Sequence, residues 1–258
     1  MLPALAAAAR LGPYFAWEPW PGDSRESGWR PWPDLFDGEI AAERVAATRA
    51  ALVGMFGLSE ASAPVRVVAS VTFLGYASRV VSPLLGAAVA GGALPATRPA
   101  DLRWRAVPGG PLPMAYATTG AEPVADLDVT ALAEALAEVA VGGLLLPLLE
   151  CFRERFALSP KVLHGNVASA LAGAAGMIAA AAPEHAARAA AVVDGMLALP
   201  PLVGAGTLVR PDPDRERWFL VRHNCCLYYR VPGGGTCGDC VLTPEADRRR
   251  TWRAALKG

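Results

Sequence analysis

Four of the chain's cysteines crowd into 16 residues near its C-terminus, as Cys225–Cys226, ten intervening residues, and Cys237–Gly238–Asp239–Cys240. Four thiols this close can surround one centre, provided the chain folds back between the two pairs. Gly233–Gly234–Gly235 supplies that reversal, and Gly238 lets backbone N–H groups approach sulfur inside the second pair. A small secreted protein stapled by disulfides spreads its cysteines along a shorter chain. Crowding fits a cofactor site in a reducing compartment. The fifth cysteine, Cys151, stands alone in a helical stretch and reads as an inert, buried thiol.

The occupant of such a centre is constrained by spacing. A C-x2-C knuckle by itself reads equally as half a zinc site, half an iron–sulfur site or a redox dithiol. Structural zinc draws ligand pairs roughly two to four residues apart, and Cys225–Cys226 departs from that. Side chains of adjacent residues in extended chain point to opposite faces, so both can grip one centre only if the chain turns there. A two-iron cluster has separate corners and tolerates the odd spacing better. On the residues alone a [2Fe–2S] cluster ranks first, with zinc, and with disulfides or free thiols, left open.

The rest of the chain excludes several classes. Its 258 residues are 53 % apolar, enough for a sizeable core. Formal net charge is zero, from 24 basic and 24 acidic side chains, so it lacks the basic excess of a nucleic-acid binder. The apolar N-terminus carries Arg10 inside its run, not before it, so it reads as a short helix from Leu2 to Arg10 stopped by Gly12–Pro13. Two apolar segments, 139–149 and 167–182, fall short of the ~20 strongly apolar residues of a membrane span. The expectation is a soluble cytoplasmic chain, with peripheral contact at the cytoplasmic membrane as its membrane association.

Pattern then predicts an α+β architecture: a helical body, a small antiparallel sheet and a C-terminal four-cysteine segment. The whole of 1–258 reads as one domain, with 221–245 as its cluster-binding segment. Helices are expected over 39–56, from a Thr130 cap to about Phe156, from a Ser159–Pro160 start to about Ala182, and from Pro183 to Gly195. Gly142–Gly143 and Pro147 are expected to kink or split the second of these. The β-branched density of Val65 to Phe73 predicts a strand, turning into helix from Leu74 to Val80. Asp101 to Val107 alternates as a half-buried strand, Pro108 to Pro113 turns the chain, and Met114 to Thr118 returns. Leu208–Val209 and Arg217 to Arg222 read as a hairpin. Trp17, Trp20, Trp29 and Trp32 lie in an irregular, proline-rich segment. They read as anchors pinning a loop to the core, or as the wall of a ligand cleft.

The pattern C-C-x10-C-x2-C, from Cys225 to Cys240, resembles the motif of the FhuF-type ferric-siderophore reductases. Leu11-Gly12-Pro13-Tyr14-Phe15 and the helical LHGNVASAL, Leu163 to Leu171, resemble further features of that family. The resemblance implies that Cys225, Cys226, Cys237 and Cys240 hold one [2Fe–2S] cluster per chain. It implies one-electron reduction of Fe(III) in hydroxamate-type siderophores, with release of the weakly held Fe(II). A zinc-stapled structural domain and a non-redox siderophore-binding module are the alternatives.

A four-thiolate two-iron cluster is anionic, and nearby positive charge stabilises its reduced form. Arg222, His223 and Arg230 bracket the first cysteine pair and are candidates for such tuning. Tyr228 and Tyr229 are expected to shield the cluster loop, Asp239 to be exposed, and the Arg248–Arg250 run to be a solvated helix end. His164, Asn166 and Ser169 read as helix-terminal packing or as a polar cleft contact. No phosphate loop or dinucleotide fingerprint is present. Electrons are therefore expected from an external donor, such as a ferredoxin or a flavin reductase.

Overall fold

The longest uninterrupted α-helix among the described residues runs through the middle of the molecule, and the other elements are arranged around it. In the computed structural model, which describes residues 2–22, 28–107, 110–117 and 120–256, this helix is α3, Val65–Val89. Before it come α1 (Pro3–Ala9) and α2 (Gly38–Phe56), the latter capped by Asp37, which accepts from the N–H groups of Glu39 and Ile40. After it come α4 (Val129–Leu136), α5 (Leu146–Phe156), α6 (Pro160–Ala181), α7 (Ala186–Leu197) and α8 (Glu245–Ala255). Helix α3 packs along α6 most extensively, and also against α1 and α2.

The strands are short. In chain order they are β1 (Glu18–Pro19), β2 (Trp29–Pro31), β3 (Ala93–Pro95), β4 (Leu102–Arg105), β5 (Met114–Tyr116), β6 (Ala121–Pro123), β7 (Gly206–Val209) and β8 (Phe219–Arg222). They form one four-stranded sheet, β1-β5-β4-β2, and two pairs, β3–β6 and β7–β8. All pairings are antiparallel except β1 with β5. The predicted α+β class therefore holds, with helix predominating.

Several expectations are met locally. Strand β4 buries Leu102 and Trp104 and turns Arg103 and Arg105 outward. Ser159 caps α6 by accepting from the Lys161 N–H at 3.3 Å. The β7–β8 hairpin forms with Gly206 opposite Arg222. Between α4 and α5 the chain is π-helical over Ala137–Leu145, so the expected kink at Gly142–Gly143 and Pro147 is a local widening of the helix. The cap of α4 is Asp128, not Thr130; its carboxylate accepts from the Ala131 N–H at 2.8 Å. Pro108 of the predicted turn and Thr118 of the return strand lie outside the described residues.

The largest departure is at Val65 to Phe73, which is helix, not strand. Strand propensity reflects fit to a half-buried pleated surface, and none of the strands among the described residues includes this segment. It starts directly after Pro64 and is surrounded by other helices, so its β-branched residues fill a helical core. Pro83 sits inside this helix and cannot donate to the Arg79 carbonyl one turn back. The buried indole of Trp17 donates to that carbonyl instead, at 2.9 Å. The Arg79 side chain, itself 3 % exposed, donates to the carbonyls of Leu112, Pro13, Tyr14 and Ala16, each at 2.7 Å. Burial lowers its pKa to about 10, so it stays charged at neutral pH. Trp17, Arg79 and Pro83 thus lock the 13–17 segment onto the core.

Three stretches, Val65–Val89, Val129–Phe156 and Pro160–Ala181, are long and apolar enough to cross a membrane by length and composition. The expectation that 139–149 and 167–182 fall short of this length is corrected, because each of these runs continues into a longer helix. Within the fold 78 % of the most apolar window of α3 is buried, whereas half of that in Val129–Phe156 is not.

Candidate metal centre

Strand β8 delivers the first cysteine pair. Its last residue, Arg222, donates its backbone N–H to the Asp239 carbonyl at 3.3 Å, joining the end of the strand to the C-x2-C knuckle. After Cys225–Cys226 the chain turns at Leu227, whose φ is +71°. This left-handed conformation is unfavourable for a non-glycine residue by roughly 1–2 kcal/mol. It supplies the turn that an adjacent pair requires. It also aims the Leu227 N–H at the Cys225 sulfur, at 3.3 Å. Gly233 and Gly235, with φ of +80° and +69°, then reverse the chain. The knuckle is closed by the Cys240 N–H donating to the Cys237 carbonyl at 3.2 Å.

The two pairs meet. Cys226 and Cys237 have their sulfurs 3.4 Å apart, and all five cysteines are free. Cys226 and Cys240 are buried, while Cys225 and Cys237 are half-buried. The hydrogen bond shared by these two sulfurs lowers the Cys226 pKa to about 6 and raises that of Cys237. Burial pushes the Cys225 thiol up. Among the described residues no three histidine, cysteine or acidic side chains converge tightly enough to enclose a single ion.

A buried polar chain supports this segment from behind. Ser70 of α3 donates to the Cys226 carbonyl at 2.7 Å. Asn166 of α6 donates to the Ser70 carbonyl and hydroxyl at 2.9 and 3.0 Å, and accepts from Arg222 at 2.9 Å. The same Arg222 nitrogen donates to Asn224 Oδ1 at 3.1 Å. Gly165 makes room for this: a Cβ there would lie 2.1 Å from Asn224 Oδ1 and 2.6 Å from Arg222 Nη2. Ser169 donates to Asp239 at 2.5 Å. Gly165, Asn166 and Ser169 all lie in LHGNVASAL, so that motif of α6 is the cradle of the cysteine segment. The Ser70 contact carries no sequence signal, because serine on an apolar helix face is unremarkable until its partner is seen.

Arg222 is 1 % exposed, and its Nε and Nη1 have no hydrogen-bond partner. None of the ion pairs among the described residues includes it. A buried guanidinium without a counter-ion costs several kcal/mol. Its field reaches Cys225 and Cys226, favouring their thiolates. An anionic four-thiolate centre fits this environment.

The other candidates fall out differently. The His223 ring is held by Thr207 Oγ1 at 3.0 Å and the Gly204 carbonyl at 3.1 Å, so it is tied to the β7 side of the hairpin. Arg230 is exposed and within electrostatic reach of Cys225. Tyr228 is half-buried against Gly234, whereas Tyr229 is 44 % exposed and shields little. Asp239, expected to be exposed, is half-buried because Ser169 holds it. His164 is half-buried, and burial lowers its pKa. Cys151 is half-buried against the core, and burial raises its pKa.

Trp17 and Trp32 are core anchors, donating to the carbonyls of Arg79 and Leu144. Trp20 and Trp29 are half-buried beneath Arg103 and Arg105. An aromatic cleft does exist, but other residues build it. A cleft of about 400 Å³ lies against the knuckle at Gly238 and Asp239, walled by Trp218, Phe219 and Trp252. Phe219 and Trp252 stack with centroids 5.2 Å apart. Gly173 and Gly176 of α6 form part of its floor, and a Cβ at either would meet open space.

No curated protein matches the chain. A family model does: the FhuF 2Fe-2S C-terminal domain matches residues 222–242, from the buried Arg222 to two residues past Cys240.

Proposed function

We propose that Cys225, Cys226, Cys237 and Cys240 hold one [2Fe–2S] cluster, and that the chain uses it to reduce ferric siderophores of the hydroxamate type in the cytoplasm, at or near the inner face of the membrane. The carrying observation is Arg222: a buried, unpaired cation beside four free thiols calls for an anionic centre. Such a cluster, when bound, exchanges single electrons. The protein's own residues set the conditions. Arg222 favours the more negative, reduced state, and the Leu227 N–H does the same at one sulfur. Ser70, Asn166 and the Leu227 turn hold the ligand loop so that it reorganises little.

The aromatic cleft is the seat for the chelate in this reading. Trp218, Phe219 and Trp252 offer broad amphipathic contact, and the glycine floor leaves space for a bulky ligand. A chelate there would touch Gly238 and Asp239, between two of the cysteines. One electron from the reduced cluster, which is thereby oxidised, would enter the ferric ion with no covalent bond made, and the ferrous ion would leave its hard oxygen ligands. Residues 1–258 act as a single unit in this proposal, with 221–245 as the cluster segment.

Anaerobic purification, a visible spectrum and electron paramagnetic resonance after reduction test the cofactor. Trapping of ferrous iron from a ferric hydroxamate tests the activity. The expected result is a brown protein with two irons and two sulfides that loses colour and activity in C237S. A colourless protein holding one zinc and no sulfide refutes the proposal.

A further inference from the structure

Helix α8 separates two unlike cavities, and Trp252 lines both. One is the aromatic cleft. The other is a cleft of about 600 Å³ between the β7–β8 hairpin and α8, lined by Arg210, Arg248, Arg249 and Arg253 and a single carboxylate, Glu245. For a chain whose formal net charge is zero, this is a marked local concentration of positive charge. Arg210 pairs with Glu216 at 2.6 Å and Arg249 with Glu245 at 2.5 Å. Arg248 and Arg253 have no ion-pair partner among the described residues. Arg248 instead donates to the carbonyl of Cys240 at 3.4 Å, which joins the basic cleft to the cysteine knuckle. Directly after that cysteine, Val241 and Leu242 are 38 % and 53 % exposed.

We propose that this arginine cleft, with Val241 and Leu242, is the docking surface of an acidic electron-carrier protein. The inference rests on the redox reading above and adds the partner's chemistry and its place. An apolar patch with a charged rim is the usual anatomy of a protein interface. A small anion would need the arginines and gain nothing from exposed Val241 and Leu242. Opposite charge raises the encounter rate and makes it salt-dependent. The position also separates the two electron transfers: the carrier docks on one side of α8, and the chelate sits on the other. One electron would leave the reduced carrier, which is oxidised, and reduce one ferric iron of a [2Fe–2S] cluster held by the four cysteines, with no bond made or broken.

The test uses the full chain and a strongly acidic plant-type ferredoxin as the probe. Its binding is measured by titration calorimetry, and its reduction of the chain by stopped flow, across 20–500 mM salt. Photoreduced methyl viologen, a cation that needs no basic docking site, is the control reductant. The variant is R249E/R253E, which reverses two exposed charges away from the cysteines. In the wild type the ferredoxin rate is expected to fall at least tenfold over the salt range. In the variant it is expected to start at least tenfold lower and to depend weakly on salt, with the viologen rate unchanged. A brown variant as fast as wild type with ferredoxin overturns the proposal. So does a variant that loses binding to phosphatidylglycerol vesicles while keeping its ferredoxin rate, which would make the cleft a lipid site. A colourless chain that binds ferredoxin and loses it on charge reversal refutes the redox reading while upholding the surface.

Discussion

Replacing Gly165 by alanine tests how closely α6 is fitted to the cysteine segment. The added Cβ would lie 2.1 Å from Asn224 Oδ1 and 2.6 Å from Arg222 Nη2, so both side chains must move. Moving them breaks the bonds from Arg222 to Asn166 and to Asn224, at 2.9 and 3.1 Å. Each hydrogen bond to a charged group contributes about 1.5–3 kcal/mol, so losing both costs about 3–6 kcal/mol. Alanine returns about 1 kcal/mol of helix propensity. The net destabilisation is roughly 2–5 kcal/mol, a fall in melting temperature of roughly 4–20 °C for a domain of this size. The same substitution at Gly173 or Gly176, where a Cβ meets nothing within 4 Å, should have the opposite sign. There the helix gains up to about 1 kcal/mol. Thermal unfolding by circular dichroism, on reduced protein treated with chelator, compares the three without any metal contribution. G165A melting level with G173A would refute the idea that this motif is a steric cradle.

Other predictions concern separate parts of the structure. W17F should lose about 1–3 kcal/mol, because the Arg79 carbonyl then has no donor, and P83A should recover much of it in the W17F background by restoring the helical N–H; urea unfolding of the four proteins in this cycle decides it. R222M should lower the midpoint potential of the reconstituted protein by about 60 mV or more, a tenfold shift in a one-electron equilibrium, as read by spectroelectrochemistry. His164 has a folded pKa below its usual 6.5 because of burial, so the unfolded chain binds the proton more readily. Its contribution to stability is full above pH 6.5 and is lost as pH falls through the lower folded value. H164Q should therefore flatten the pH dependence of urea unfolding between about pH 7 and pH 5, and an unchanged slope would count against it.

The four-cysteine motif was legible because its information is local. Cysteine spacing fixes which thiols can meet, and the adjacency of Cys225 and Cys226 demanded a turn that Leu227 supplies by entering the left-handed region. Helix starts at Ser159–Pro160 and the β7–β8 hairpin were legible for the same reason. Val65 to Phe73 was misread because its β-branched residues fit a pleated sheet and a helical core alike, and only the neighbours choose between them. The tryptophans were ambiguous for a related reason. Trp17 and Trp32 anchor loops because carbonyls from distant parts of the chain meet their indoles, while Trp218 and Trp252, which sequence did not single out, wall the cleft.

What the sequence determined alone is therefore the spacing of the four cysteines, the class of fold and the family resemblance of the C-terminal segment. These rest on covalent spacing and on short-range pattern. Tertiary structure decided the environment of that centre. It buried Arg222 without a counter-ion, turned His223 toward Thr207, and brought Ser70, Gly165, Asn166 and Ser169 to the cysteines from helices 50 or more residues away in the chain. It also gave α8 one aromatic flank and one basic flank. Burial and electrostatic field depend on which residues distant in sequence become neighbours, and no local pattern carries that.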